Sequence, residues 1–420
     1  MSVTTLTRAF ERDRLKDGAD RLAVVTAVSL PWSTSATGIL VALWLIVLIP
    51  TLDWRALRQV VVTPTGGLPV LLVLLGAAGM LWADVIWAER WDGLVSFLKL
   101  LVIPLLLVQF QKSDRGLWVL GAYALSCLVL LLLSSVFWLW PSVEFLKAAD
   151  TAVPVKNAAT QSGEFVTCIF GFLFLAVDSF ERRRWPRLLG LTAAVLGMLF
   201  NILFVATGRT ALAIIPVLLV LFAARKLNRN GILIVMASAI LIGAIGWTSS
   251  LYLRERTLAI WTDIQGYKAV DERNSTGERL EFWKKSIDIV REAPAIGHGT
   301  GSIYSEFLAS TIGQSGMSGY ATSNPHNQTF AVAIQLGIVG GIVLWAMWIA
   351  HLLLFRGGGL AEWVGLVIVV QNIVGSLFNS HLFDFLQGWV YVIGVGVCGG
   401  MALKRRLAST PAQKPADAGA

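Results

Sequence analysis

The chain is short of charge. Only 14% of its 420 residues are Asp, Glu, Lys or Arg, where a water-soluble domain carries about a quarter. Cysteine is nearly absent. Cys127, Cys168 and Cys398 each fall inside an apolar run, which speaks against a disulfide framework or zinc site and for small packing residues. No CxxC, HExxH, phosphate-loop or dinucleotide signature occurs, so no metal, nucleotide or other cofactor is implied. No internal repeat stands out, and a charged N-terminal stretch runs straight into a retained apolar segment without a cleavable leader.

Apolar sequence fills the space. Hydrophobic residues make up 56% of the chain, mean hydropathy is +0.69, and runs able to cross a ~30 Å hydrocarbon core recur from end to end. The expected fold is an all-α polytopic membrane protein of about 12 transmembrane helices. They fall near residues 20–33, 36–51, 67–84, 91–110, 116–138, 160–179, 187–206, 208–224, 231–251, 326–355, 360–378 and 384–403. Residues 1–251 thus carry nine helices, 252–325 one large external loop with amphipathic helices, and 326–403 the last three. Residues 404–420 read as a disordered cytoplasmic tail rich in Ala, Pro and Lys.

Positive charge orients the chain. With the N-terminus inside, the cytoplasmic segments hold clusters such as Arg8 to Arg21, Arg182 to Arg187, and Lys404 to Arg406. The short external loops hold only Arg90, Lys147, Lys156 and Arg209. Both termini are therefore expected in the cytoplasm. The formal net charge of +8 is a basic inner skirt facing anionic membrane lipid, not a nucleic-acid stripe.

Against this background Asn324-Pro325-His326-Asn327-Gln328, at the end of the external loop, is the most informative segment. Asn324 is suited to cap the following helix, with Pro325 in its first position. His326 would then sit in the first turn, where the helix dipole disfavours imidazolium and leaves a neutral base near pH 7.

The loop itself is patterned. Ser275-Thr276-Gly277-Glu278 reads as a capping box opening a helix to about Glu292, with Leu280, Trp283, Ile287 and Val290 as its apolar stripe. Arg279 borders that stripe and faces either the protein or the lipid headgroups. Arg209, in the tight turn Thr207-Gly208-Arg209-Thr210, has no acidic neighbour in sequence; its partner is distant or an anionic ligand. Gly297-His298-Gly299-Thr300-Gly301 forms either an anion-binding nest or simply a tight turn. Lys99 falls mid-span, as a functional group or a brace on a buried carbonyl. His298, His381 and Tyr320 are possible substrate contacts, His351 a structural residue, and Trp261, Tyr304 and Tyr320 sugar-stacking or interfacial aromatics.

Two arginines and a neutral histidine suit a diphosphate and a hydroxyl nucleophile. The guanidinium fork matches phosphate oxygens, and a positioned imidazole can take the hydroxyl proton as the new bond forms. At these residues the sequence resembles the O-antigen ligase and polymerase superfamily of membrane glycosyltransferases. The matching pieces are Thr207-Gly208-Arg209-Thr210-Ala211, Gly277-Glu278-Arg279-Leu280 with Trp283, Ala295 to Gly301, and His326 to Phe330 followed by Leu336 to Gly340. They cover about residues 200–345 in the family's order; the first half matches in hydropathy alone.

The resemblance implies that His326 is the base and that Arg209 and Arg279 bind the diphosphate of an undecaprenyl-linked glycan donor. It implies a metal-independent, inverting transfer at the periplasmic face of the bacterial inner membrane. His298 departs from the family's pattern, in which that turn more often carries a small or aliphatic residue. Length, span count and the single large loop favour a ligase, with the lipid A–core oligosaccharide as acceptor. A polymerase or a protein O-oligosaccharyltransferase are the alternatives within the superfamily, and a transporter the non-enzyme alternative.

Overall fold

The computed structural model describes residues 3–143, 152–206, 208–251 and 275–409, with scattered residues between 254 and 265. Lys147, Thr207 and the tail beyond Ser409 lie outside the described residues, as do most of 252–274 and the side chain of Ser275. Every described element is helical.

A helix underlies each of the twelve expected spans, but not all have the length and composition to cross a bilayer. Among the described residues eight helices do, and the pair Trp54–Val62 and Pro64–Gly79, bent by 85°, makes a ninth if it forms one span. The bend follows from Pro64, which forces Thr63 into extended backbone (φ −81°, ψ 152°). The remaining helices depart from that length or composition for identifiable reasons. Val3–Ser29 is charged through its first half, Arg209–Lys226 carries cations at both ends, and Leu360–Gly375 has only 16 residues. The last helix, Phe385–Ser409, runs beyond the expected boundary at 404.

Glycine sets the packing at the centre. Phe385–Ser409 lies against Val102–Lys112, and a Cβ on Gly396 or Gly400 would overlap Leu106 or Phe110. In hydrocarbon such close backbone approach, rather than water exclusion, drives helix association. Cys127, Cys168 and Cys398 are free and buried, as packing residues should be.

The segment before Gln328 is tied to the bundle through a broken helix. Gln328–Leu354 is interrupted at Gly337 (φ +61°, ψ −161°). The segment 294–301 fills the break: Ile338 N–H donates to Pro294 O (2.8 Å), His298 N–H to Ile334 O (2.9 Å) and Gly299 N–H to Gln335 O (2.9 Å). Thr300 adds a bond from its N–H to Gly79 O (3.0 Å) and one from its hydroxyl to Gly76 O (2.6 Å). Backbone groups orphaned by the break are thereby satisfied inside the protein, as a low-dielectric setting demands.

Helix Ser275–Glu292 forms where the sequence predicts it, but its buried face is rotated. Phe282 and Ile289 pack with Ile303, Phe307, Ala331 and Ile334 in a second core, while Ile287 of the expected stripe is exposed. Periodicity could not separate two apolar faces one residue apart. The deciding contact is Phe307, edge-on to Phe282 with centroids 5.6 Å apart.

Candidate active site

His326 lies ahead of its helix, not in the first turn. Asn327 is the cap, its side chain accepting from Thr329 N (2.9 Å) and Phe330 N (3.2 Å), and the helix begins at Gln328. Asn324 does not cap because its Oδ1 is committed elsewhere. It accepts from His326 N–H (2.9 Å), a local Asx-type turn, and from Ser380 Oγ (2.8 Å). The turn leaves His326 in the left-handed region (φ +52°), a conformation costing a non-glycine residue roughly 1–2 kcal/mol. Such strain persists only where surrounding contacts hold it.

Those contacts come from two elements. From Ser275–Glu292, the Phe282 ring stacks on the imidazole (centroids 6.2 Å, 13° between planes) and Trp283 Nε1 donates to His326 O (3.3 Å). From the turn before the last helix, Asn379 Oδ1 lies 3.0 Å from His326 Nδ1. Half-burial, then the nearby Arg279 charge, hold the His326 pKa below its ordinary value, with the Asn379 hydrogen bond and Glu278 opposing. The shift favours the uncharged imidazole, and its causes are desolvation and a neighbouring cation rather than a helix dipole.

The two arginines meet at the same place. Arg209 opens helix Arg209–Lys226, after a widened turn (Asn201–Val205) and Gly208, whose N–H donates to Ser162 Oγ (3.1 Å). Its Nη1 is 3.5 Å from Thr276 Oγ1, one helical turn before Arg279. Arg279 is half-buried; desolvation and the Arg209 charge lower its pKa, and Glu278 offsets part of this. Two mutually repelling guanidiniums at a positive helix end favour an anion between them.

Other sequence-predicted groups do not join them. All five amides of 297–301 are committed: Gly297 donates to Ala293 O (3.1 Å), Gly301 to Gln335 Oε1 (2.9 Å), and the middle three as above. The anion-nest reading is therefore overturned; this is a wedge that fills a broken helix. His298 Nε2 is 2.9 Å from Ile289 O and its Nδ1 3.4 Å from Glu306. With Glu292 these form the group among the described residues able to hold a metal, their ligand atoms within 4.8 Å.

His381 is buried against Gly375, burial pushing its pKa down to about 4. Tyr320 is exposed, its carbonyl 3.5 Å from Lys285 Nζ. His351 is fully buried between Tyr391 Oη (2.6 Å) and Thr65 O (3.0 Å), a structural role as expected. Lys99 braces carbonyls, donating to Phe383 O (3.0 Å) and Asp384 O (2.9 Å).

Asn379 and Asp384 were missed by sequence reasoning, which singled out His381 from the same turn. The available signal was the polar density of Asn379-Ser380-His381 and Asp384 between two apolar helices. Beside them a cavity of about 430 Å³ is lined by Glu89, Asp92, Tyr304, Asn324, Ser380 and Asp384. Three carboxylates make it unsuited to a diphosphate.

The apolar helices define a membrane-protein class of fold, with a cationic, part-buried site where Arg209, Arg279 and His326 lie near one another. Residues 193–345, which contain Arg209, Arg279 and His326, match the family described as O-antigen ligase; the match covers about a third of the chain. An uncharacterized protein of Haemophilus influenzae is 27% identical over 162 residues, 37% of this chain and 40% of that relative. The chain thus spans about two fifths of the curated relative it matches.

Proposed function

We propose that the protein is an O-antigen ligase, transferring a polysaccharide from undecaprenyl diphosphate to a hydroxyl of the lipid A–core oligosaccharide at the periplasmic face of the inner membrane. The observation that carries this reading is the convergence of Arg209 and Arg279, from different elements, on a strained and neutral His326.

In the proposed step the acceptor oxygen attacks the anomeric carbon of the donor sugar from the face opposite the diphosphate, inverting the centre. As that C–O bond forms, the acceptor proton passes to His326. The anomeric carbon's bond to the diphosphate oxygen breaks, and the electron pair leaves with the carrier diphosphate. Arg209 and Arg279 meet the charge that develops there, so their stabilisation is largest in the transition state. The reading assigns that charge to guanidiniums and calls on no metal. Positioned proton transfer of this kind contributes about 10²–10⁴-fold.

The test is a deletion strain complemented with wild type or His326→Ala. Wild type should restore polysaccharide-bearing core, and His326→Ala should leave long polymer on the carrier beside bare core while inserting normally. A normal ladder from His326→Ala rules out the base assignment. Core bearing a single repeat identifies a polymerase, and loss of glycoprotein alone a protein transferase.

A further inference from the structure

We infer that Asn379 is the positioning residue for His326: its side-chain carbonyl holds the imidazole proton on Nδ1 and so leaves the lone pair on Nε2 for the acceptor hydroxyl. The inference rests on the reading of His326 as base.

An amide side chain can be turned either way, and an imidazole can carry its proton on either nitrogen. Here two anchors remove both freedoms. At one end stands the backbone N–H of His326, which can only donate; it lies 2.9 Å from Asn324 Oδ1. The Ser380 hydroxyl donates to the same oxygen at 2.8 Å. Asn324 must therefore point its Nδ2 at Asn379, where Oδ1 accepts at 2.9 Å. At the other end stands the Asp384 carboxylate, 2.6 Å from Asn379 Nδ2, which receives that N–H. Turning the Asn379 amide would set carbonyl against carboxylate and NH₂ against NH₂ at once.

Asn379 Oδ1 is thus an acceptor with two lone pairs, one taken by Asn324 and the other facing His326 Nδ1 at 3.0 Å. That second contact requires a proton on Nδ1. A neutral imidazole with its proton there is basic at Nε2 alone. Free in solution, neutral histidine favours the opposite tautomer, so the orientation must be imposed. The Phe282 stack holds the plane of the ring and the left-handed backbone aims it; the amide chooses the nitrogen.

A neutral partner also matters. A carboxylate at this position would stabilise imidazolium and consume the base. The amide fixes the tautomer while leaving the ring uncharged near Arg279. Charged groups around His326 are Arg279 and Glu278 on Ser275–Glu292, and Asp384 behind Asn379. Lys99 holds the Asp384 backbone from Lys99–Leu101.

Two measurements on the full-length protein test this. The first needs no substrate. With ¹⁵N-labelled histidine in detergent micelles, and His326→Ala to assign the signal, the wild-type ring should show Nδ1 protonated and Nε2 bare near neutral pH. In Asn379→Ala the tautomer should become mixed or reverse. The second is transfer from the undecaprenyl-linked donor to lipid A–core in proteoliposomes. Asn379→Ala should lower kcat at least about tenfold with little change in donor KM. Asn379→Asp, nearly isosteric, sets a carboxyl against Asp384, so the pair keeps one proton between them; the negative charge they share, now reaching Nδ1 directly, should move the acid limb of the kcat–pH profile to higher pH.

A merely structural asparagine would lower the yield of folded protein and leave tautomer and acid limb where they are. A wild-type lone pair on Nδ1, an unchanged tautomer in Asn379→Ala, or an unmoved limb in folded Asn379→Asp each overturns the inference. Normal transfer by His326→Ala would instead overturn the underlying function, and the nitrogen spectrum would still report on Asn379.

Discussion

Phe282 lies almost parallel to His326, its ring 6.2 Å away and tilted by 13°, and stands one helical turn after Arg279. A single helix therefore supplies both the surface that holds the imidazole plane and a cation that adds to the effect of burial in disfavouring its charged form. The electrostatics of base and anion clamp are coupled for this reason, and the coupling can be separated by substitution.

Arg279→Lys keeps the charge beside His326 but loses the planar fork. It should lower kcat/KM by about ten- to hundredfold, the loss of one charge-assisted hydrogen bond, and leave the acid limb in place. Arg279→Gln removes the charge as well. His326 is active unprotonated, so activity fails as pH falls through its pKa. Removing a cation that lowers this pKa should raise it, and the acid limb should move up. Burial, the larger cause of the depression, persists in the variant. Superimposable kcat–pH profiles for Arg279→Gln and Arg279→Lys would show that this charge does not reach the base.

Lys99 offers a second check because it acts through the other wall of the site. Its ammonium holds the carbonyls of Phe383 and Asp384, the turn from which Asn379 reaches His326. Lys99→Met should leave two carbonyls unsatisfied at about 1–3 kcal/mol each. Thermal denaturation in detergent should show a lower midpoint, and kcat should fall severalfold. Donor KM should hardly change, since Arg209 and Arg279 sit on other elements. A variant that raised donor KM and spared kcat would place Lys99 with the diphosphate instead.

Much of this architecture was legible before any coordinates. Hydropathy located a helix under every expected span, and the resemblance of short motifs from Arg209 to Gly340 brought together residues more than a hundred positions apart. The span count was less legible because bilayer crossing depends on length and end charge, and Leu360–Gly375 and Arg209–Lys226 fail on those grounds.

Local chemistry was the weakest guide inside the site. Asn324 has the composition of a cap, yet a long-range bond from Ser380 and a turn to His326 claim its oxygen, passing the cap to Asn327. The glycines of 297–301 have the composition of a nest, yet their amides serve a helix broken forty residues on. Asn379 was overlooked for the same reason. A neutral amide carries no signal until its partners are known.

The wedge makes the strongest stability case. Gly337 has φ +61°, and a Cβ there would overlap the carbonyl of Ala295 across the break. Gly337→Ala therefore pays twice. Backbone with φ +61° and ψ −161° is a region essentially reserved for glycine and costs alanine about 1–3 kcal/mol, and forcing the wedge outward adds about 1–3 kcal/mol of overpacking. If the wedge is displaced, the bonds from His298 and Gly299 to Ile334 and Gln335 loosen together, and Ala331 and Ile334 lose register with Phe282. Because Phe282 stacks on His326, transfer should decline along with the melting temperature. Gly341, four residues on, has open space where its Cβ would project, so Gly341→Ala should leave both unchanged. Equal melting temperatures for Gly337→Ala, Gly341→Ala and wild type would mean that the break does not depend on the wedge.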